Sequence, residues 1–204
     1  FIRQPELFYV LGRIAVGVIP GTLTVLWVYK GWKNITDRSA GLWAAAALAV
    51  NYLHARDSHI IYTDILMTLW VWVAVLAAVK YLRRPTLSQA VCFGAWTGLA
   101  TATKYNAALV GVAGLAAWFL ASRRWKELAA MIGVSAVAFI ALNPFAVLDL
   151  QPFLAAVAHQ ATAEGVVGPR HLIGYSLAES CGWGLLVVAL VGSFLLWKKD
   201  RPLT

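Results

Sequence analysis

The run ILMTLWVWVAVLAAVKY at residues 65–81 contains a single charged side chain, Lys80, next to its end. A helix rises about 1.5 Å per residue, so a run of this length nearly crosses the ~30 Å hydrocarbon core of a bilayer. Comparable apolar runs recur along the chain at residues 7–29, 40–53, 87–103, 105–121, 125–142 and 181–197. The sequence therefore predicts an all-α fold: one polytopic transmembrane bundle over residues 1–204, with about seven spanning helices.

The composition excludes an ordinary soluble domain. Hydrophobic residues make up 61% of the 204 positions and charged residues only 13%, an excess that one globular core of this size could not hide from water. The net charge of +8 does not indicate nucleic-acid binding, because the basic residues form short clusters between apolar runs instead of one polar face. We expect a lipid bilayer as the partner of most of the surface.

The distribution of Lys and Arg predicts the orientation, because basic residues are retained on the cytoplasmic side of a membrane. Twelve of the seventeen fall at every second turn of the seven-helix arrangement: Lys30, Lys33, Arg38, Lys80, Arg83, Arg84, Arg123, Arg124, Lys126, Lys198, Lys199 and Arg201. Phe1 is then expected outside the cytoplasm.

The predicted outer surface carries most of the polar residues that could do chemistry. It consists of the N-terminal segment, residues 54–64, the turn at Lys104 and a long connection at residues 143–180. Within this connection, residues 152–163 have the pattern of an amphipathic helix that lies in the membrane interface. All four His and six of the nine acidic residues fall on this side.

The densest polar cluster is HARDSHIIYTD at residues 54–64, directly before the run quoted first. Asp64 stands at a helix N-terminus, where a carboxylate can simply satisfy free backbone N–H groups. Alternatively, Asp57, His59 and Asp64 line a polar pocket, since a spacing of seven brings Asp57 and Asp64 to one face if the segment is helical. Asp and His could also bind a divalent metal, although no established metal-ligand spacing is present.

Three further places carry unexpected cations. Lys104 lies between two apolar runs, where it either snorkels to the headgroups or binds an anion such as a phosphate, and we favour the anion. Arg170 and His171 follow a Gly- and Pro-containing loop and are either phosphate or sugar ligands or a solvated loop tip. Arg13 falls inside the first span, where it either pairs with Glu6 or faces a water-filled cavity.

Several short motifs in this order resemble the GT-C membrane glycosyltransferases. They are Leu11-Gly12-Arg13 with GTLT at residues 21–24, SHIIYTD at residues 58–64, GLATATKYN at residues 98–106, and NPF at residues 143–145 with Leu148-Asp149. The chain is most similar to bacterial and archaeal relatives of the dolichyl-phosphate-mannose protein mannosyltransferases and of the lipid A aminoarabinose transferases.

The resemblance implies an inverting hexosyl or pentosyl transferase in a prokaryotic plasma membrane. It would move a sugar from a polyprenyl-phosphate donor to a protein, lipid or glycan acceptor outside the cytoplasm. Lys104 would bind the donor phosphate with help from Arg170. The substrate pocket would include Arg13, Asp57, His59, Asp64, Tyr105, Asn106 and His171. No cofactor is firmly implied, and a divalent metal stays open.

The family's catalytic carboxylate usually lies in the first outer loop, so the resemblance places the general base upstream of Phe1. The fragment alone would then be inactive. A transporter is the main alternative class, but transporters place ionisable residues near the middle of the bilayer, often in repeated halves, and neither pattern is seen here. A non-catalytic membrane subunit is the third alternative, and it would not need an outer face rich in His, Asp and Lys.

Overall fold

The computed structural model describes residues 5–163 together with Val187, and every regular element in this part of the chain is helical. The α-helices are α1 (Pro5–Arg13), α2 (Ile19–Ile35), α3 (Arg38–Ala49), α4 (Tyr52–Asp57), α5 (Thr63–Arg83), α6 (Leu87–Thr103), α7 (Gly111–Ala121), α8 (Trp125–Leu142), α9 (Phe145–Leu148) and α10 (Leu150–Ala163). A π-helical turn, Ile14–Val18, joins α1 to α2, and a 3-10 helix, Tyr105–Val110, precedes α7.

The first helix is longer than predicted, because α1, the π-turn and α2 form one apolar helix, Glu6–Ile35, of 30 residues. The wide turn directly precedes Pro20. A proline inside a helix donates no hydrogen bond and its ring collides with the carbonyl four residues earlier. A π-turn relaxes that crowding, since it shifts the hydrogen-bonding partner by one residue.

Within residues 5–163, three helices are long and apolar enough to cross a bilayer: Glu6–Ile35, Thr63–Arg83 and Trp125–Leu142. The helical segment Tyr105–Ala121 is apolar but shorter. The predicted helices at residues 87–103 and 125–142 are confirmed at both ends by α6 and α8. The break predicted at Lys104 is also present. These findings confirm an all-helical membrane protein. The helix predicted at residues 181–197 lies outside the described residues.

The helix predicted at residues 40–53 is wrong at its C-terminal end. Helix α3 ends at Ala49, and Asn51 begins the short helix α4 by accepting a hydrogen bond from the backbone N–H of His54 at 3.0 Å. Asparagine favours this cap because its side chain replaces a missing intrahelical acceptor. Hydropathy does not detect such a cap, so the apolar run at residues 40–53 predicted one helix where the structure has two.

Helices α6 and α8 cross at very close range because α6 presents two glycines. A Cβ atom built on Gly94 would lie 2.6 Å from the carbonyl oxygen of Met131, and one built on Gly98 would lie 2.5 Å from that of Ser135. Small residues four positions apart let helix backbones approach in membranes, where packing replaces the hydrophobic driving force. This contact fixes α8 against α6.

A buried polar network lies at the end of α5 that is opposite to Asp64. The Tyr81 hydroxyl donates to Oε2 of Glu127, and the Ser122 hydroxyl donates to the same oxygen at 2.6 Å. Arg124 pairs with the other carboxylate oxygen at 2.8 Å. Glu127 is only 4% exposed, so the carboxylate ties α5 to the turn between α7 and α8. No pattern in the sequence predicted this network.

Large apolar side chains cover the outside of the bundle. Leu109, Leu120 and Val137 are each about two-thirds or more exposed, which would be unfavourable in water over so wide a surface. Outside the spanning helices, α10 is confirmed at the predicted amphipathic segment of residues 152–163, although it begins two residues earlier. Its location in the membrane interface stays a prediction.

Candidate functional site

Lys104 is placed by the break between α6 and the following 3-10 helix. Its backbone is extended (φ −156°, ψ 128°), and its N–H still donates to the carbonyl of Ala100 at 3.1 Å. Its own carbonyl accepts from the N–H of Ala107 at 3.0 Å. Lys104 therefore closes one helix and opens the next, and this double role holds its side chain at the end of the bundle.

The ammonium of Lys104 pairs with the carboxylate of Asp64. Nζ lies 2.8 Å from Oδ1, and the two side chains are 29% and 24% exposed. Asp64 occupies the first turn of α5, where the helix dipole favours a negative charge. The Lys104 ammonium also lies 5.8 Å from the centre of the Tyr62 ring. The pair is thus prepared by the fold yet reachable by a ligand.

Asp57 and His59 do not share a helix face with Asp64, because α4 ends at Asp57 and α5 begins only at Thr63. The helical premise of that prediction is therefore wrong. Asp57 pairs instead with Arg56 at 2.7 Å, and this hydrogen bond raises the pKa of the Arg56 guanidinium. Nδ1 of His59 lies 2.6 Å from the carbonyl oxygen of Ala55, which leaves the other ring nitrogen available to a ligand.

The loop after α4 packs into notches on the N-terminal helix. A Cβ atom on Gly17 would lie 2.6 Å from the carbonyl oxygen of Ser58, and one on Gly12 would lie 2.9 Å from Cδ1 of Ile61. A Cβ on Gly21 would collide with the Ser58 hydroxyl. The glycines in the motifs at residues 11–13 and 21–24 therefore serve to admit the loop that leads to Asp64.

His54 positions the loop that leads to the site, a role that its place in the sequence did not predict. It is 8% exposed, and its Nε2 lies 3.2 Å from the carbonyl oxygen of Gly21. The Ser58 hydroxyl donates to the carbonyl of His54 at 2.6 Å. His54 thus joins the loop to the N-terminal helix. His54 begins the polar cluster at residues 54–64, but it is 33 residues from Gly21 in the sequence, and such a separation predicts no contact.

Tyr105 and Asn106 open the 3-10 helix beside Lys104. The Tyr105 ring packs edge-on against Phe139 and Phe153, at centroid distances of 6.2 Å and 5.5 Å. Tyr105 also borders a cavity of about 360 Å³ between this cluster and α9 and α10. Asn143 helps to line this cavity and donates to the carbonyl of Ala102 at 3.3 Å. The NPF motif thereby covers the end of α6.

Arg13, a further predicted site residue, does not contact this pair in the structure. The Arg13 guanidinium lies over the Tyr9 ring at 5.7 Å, and the ion pairs of residues 5–163 do not include one with Glu6. Arg170 and His171 lie outside the described residues. In the described part of the chain, no group of three His, Cys, Asp or Glu side chains could hold a metal ion.

An apolar helical bundle of this length is typical of an integral-membrane protein, and this one carries an accessible ion pair at one end. The sequence model of the dolichyl-phosphate-mannose-protein mannosyltransferase family matches residues 11–148. The chain belongs to this family of membrane glycosyltransferases, as the resemblance indicated. The match includes Asp64 and Lys104. No curated protein and no solved structure matches the chain.

Proposed function

We propose that this chain forms the donor site of a glycosyltransferase that takes a sugar from a polyprenyl phosphate on the non-cytoplasmic side of a prokaryotic plasma membrane. The Lys104–Asp64 pair is the observation that carries the proposal. A lysine this far from the basic clusters is the natural partner of a lipid phosphate at headgroup level. The acceptor is a protein, lipid or glycan hydroxyl.

In the proposed reaction, the acceptor oxygen attacks the anomeric carbon and the bond from that carbon to the phosphate oxygen breaks. The acceptor proton passes to a carboxylate, which we expect upstream of Phe1, and the lipid phosphate leaves with the bonding electrons. Lys104 stabilises the charge that develops on the departing phosphate. Arg170 assists from the outer connection.

Asp64 has two roles in this proposal. Without donor, its carboxylate holds the ammonium of Lys104 at 2.8 Å, so Lys104 is oriented before the phosphate arrives and little conformational entropy is lost on binding. With donor, Asp64 is free to accept a hydrogen bond from a sugar hydroxyl. His59, Asp57, Tyr105, Asn106, His171 and Arg13 complete the pocket in this proposal.

The test is the transfer of labelled sugar from polyprenyl-phosphate donors in membranes that contain the full-length protein. Lys104→Ala should lower turnover at least about 100-fold, the usual effect of removing one group that stabilises transition-state charge. Lys104→Arg should retain part of the activity because it keeps the charge. The matched control is Lys126→Ala, an exposed lysine at the other end of the bundle, which should transfer normally. Full turnover by Lys104→Ala at normal protein levels would refute the assignment.

A further inference from the structure

The turn between α7 and α8 contains an arginine in a backbone conformation that normally favours glycine. Arg123 has a φ of 54°, and it is the one non-glycine residue with positive φ in the described part of the chain. It follows Ser122 at the end of α7, and its N–H donates to the carbonyl of Trp118 at 3.0 Å. Helices commonly end on a glycine at this point, because a Cβ atom is crowded there. The arginine side chain is therefore present despite backbone strain.

The protein itself uses only part of the Arg123 guanidinium. Nε donates to the carbonyl oxygen of Phe119 at 3.0 Å, and the guanidinium carbon lies 4.0 Å from the centre of the Phe119 ring. Neither terminal nitrogen of Arg123 enters an ion pair with the residues that the structure describes. These two nitrogens form the planar fork that binds a phosphate through two parallel hydrogen bonds.

A second turn, between α5 and α6, lies beside Arg123. Arg124 joins the two turns, because it donates to the carbonyl of Pro85 at 2.7 Å while it pairs with Glu127 at 2.8 Å. Arg84 directly precedes Pro85, is exposed, and takes part in none of the ion pairs of residues 5–163. The Glu127 carboxylate is buried and already bonded. The charges of Arg84 and Arg123 are therefore left for a ligand from outside the bundle.

Two tryptophans place this surface at the edge of the bilayer. The rings of Trp118 and Trp125 are 5.2 Å apart, and Nε1 of Trp118 donates to the carbonyl of Arg124 at 3.0 Å. Trp125 is 74% exposed. Tryptophan favours the layer between the hydrocarbon core and the headgroups. Arginines in the same turn are then at the level of the lipid phosphates.

We propose that Arg84 and Arg123 form a binding site for the headgroup of an anionic phospholipid. The fork of Arg123 binds the phosphate, and Arg84 adds a second positive charge from the neighbouring turn. Under the orientation proposed above, this end of the bundle lies in the cytoplasmic leaflet, whose anionic lipids attract basic side chains. The bound lipid would hold the α5–α6 and α7–α8 turns together. A diffuse attraction to the membrane would not require a strained arginine.

The first experiment measures thermal unfolding of the full-length protein in phosphatidylcholine nanodiscs, with and without one-third phosphatidylglycerol. The unaltered protein should unfold several degrees higher with phosphatidylglycerol. Arg123→Gly should lose more than half of this gain. In pure phosphatidylcholine it should unfold close to the unaltered protein, because relief of the positive φ offsets the lost contact with Phe119. The matched control, Lys30→Ala, removes an exposed charge from α2 at the same end of the bundle and should keep the gain.

A second variant tests the neighbouring turn without altering the α7–α8 backbone. Arg84→Gln should also lose part of the gain from phosphatidylglycerol. An equal loss in Lys30→Ala and Arg123→Gly would indicate diffuse attraction only. That result, no gain for the unaltered protein, or the full gain in both Arg123→Gly and Arg84→Gln would overturn the proposal.

The second experiment separates a lipid from a free phosphate. Native mass spectrometry of the detergent-solubilised full-length protein, titrated with phosphatidylglycerol, gives the affinity for the first bound lipid. Arg123→Gly should bind it roughly tenfold more weakly, the loss expected for a two-point contact with a phosphate. Lys30→Ala should bind it as the unaltered protein does, and an equal concentration of glycerol phosphate should not displace it. Displacement by glycerol phosphate, or equal affinity in Arg123→Gly, would contradict a phospholipid site.

Discussion

Replacement of Glu127 by alanine should destabilise the bundle strongly, because this carboxylate accepts two hydroxyl hydrogen bonds in a buried setting. A hydrogen bond to a charged group contributes about 1.5–3 kcal/mol, and removal of one partner of a buried pair costs about 3–5 kcal/mol. Tyr81 and Ser122 can still bond to each other, at 2.6 Å. Arg124 is 59% exposed and regains water. We therefore expect the lower limit, about 3 kcal/mol.

Thermal unfolding of the purified protein, followed by far-UV circular dichroism, measures this loss. At about 2–4 °C per kcal/mol for a chain of this size, the midpoint should fall by roughly 6–12 °C. Glu127→Gln keeps the shape and an acceptor and should lose about 1 kcal/mol. Lys126→Ala, its exposed neighbour, should unfold within about 0.5 kcal/mol of the unaltered protein.

Sugar transfer per folded molecule at low temperature should be unchanged in Glu127→Ala, because the network lies at the end of α5 opposite to Asp64. A midpoint equal to that of Lys126→Ala would refute the reasoning, since it would mean that the carboxylate contributes nothing to the packing of α5 against the α7–α8 turn.

Two further predictions concern the outer loop and the orientation. Gly17→Ala should lower transfer activity severalfold, because its Cβ would lie 2.6 Å from the Ser58 carbonyl oxygen and overpacking costs about 1–3 kcal/mol. The control is Gly133→Ala, whose Cβ would have nothing within 4 Å. Equal activities of the two variants in the transfer assay would contradict the close contact between Gly17 and the loop. In a background without native cysteines, Ile60→Cys should react with an impermeant maleimide from outside intact cells and Arg84→Cys only after lysis. The reverse pattern would invert the proposed topology.

Much of the fold could be predicted because the apolar runs end at the same places as the residues that cap or terminate helices. Helices α6 and α8 begin and end where the apolar runs do, since Thr86 caps α6 and the 143–144 Asn-Pro pair follows α8. The break at Lys104 could also be predicted, because the free energy of placing a lysine between two apolar runs is unfavourable except at the membrane edge. The C-terminal end of α3 could not be predicted in this way, since the Asn51 cap is a local hydrogen bond that hydropathy does not detect.

The two residues of the ion pair could be singled out in the sequence, but their pairing could not. Asp64 and Lys104 stand out individually, yet they are 40 positions apart, which allows no inference about their distance until α5 and α6 are packed. Glu127 was hidden for a related reason. It follows a basic cluster, where a carboxylate is normally expected on the surface. Its burial becomes evident only when Tyr81 of α5 packs against it.

The π-turn at Ile14–Val18 has a consequence for how this stretch can vary between family members. Gly12 and Gly17 are five residues apart, whereas Gly17 and Gly21 are four apart, and the widened turn absorbs the extra residue so that all three meet one loop. A homologue that lacks one residue between the first two glycines could form a regular α-helix and still present all three glycines to the loop. A single-residue deletion usually disrupts the packing of a helix. At this position it would replace the π-turn with a regular α-helical turn.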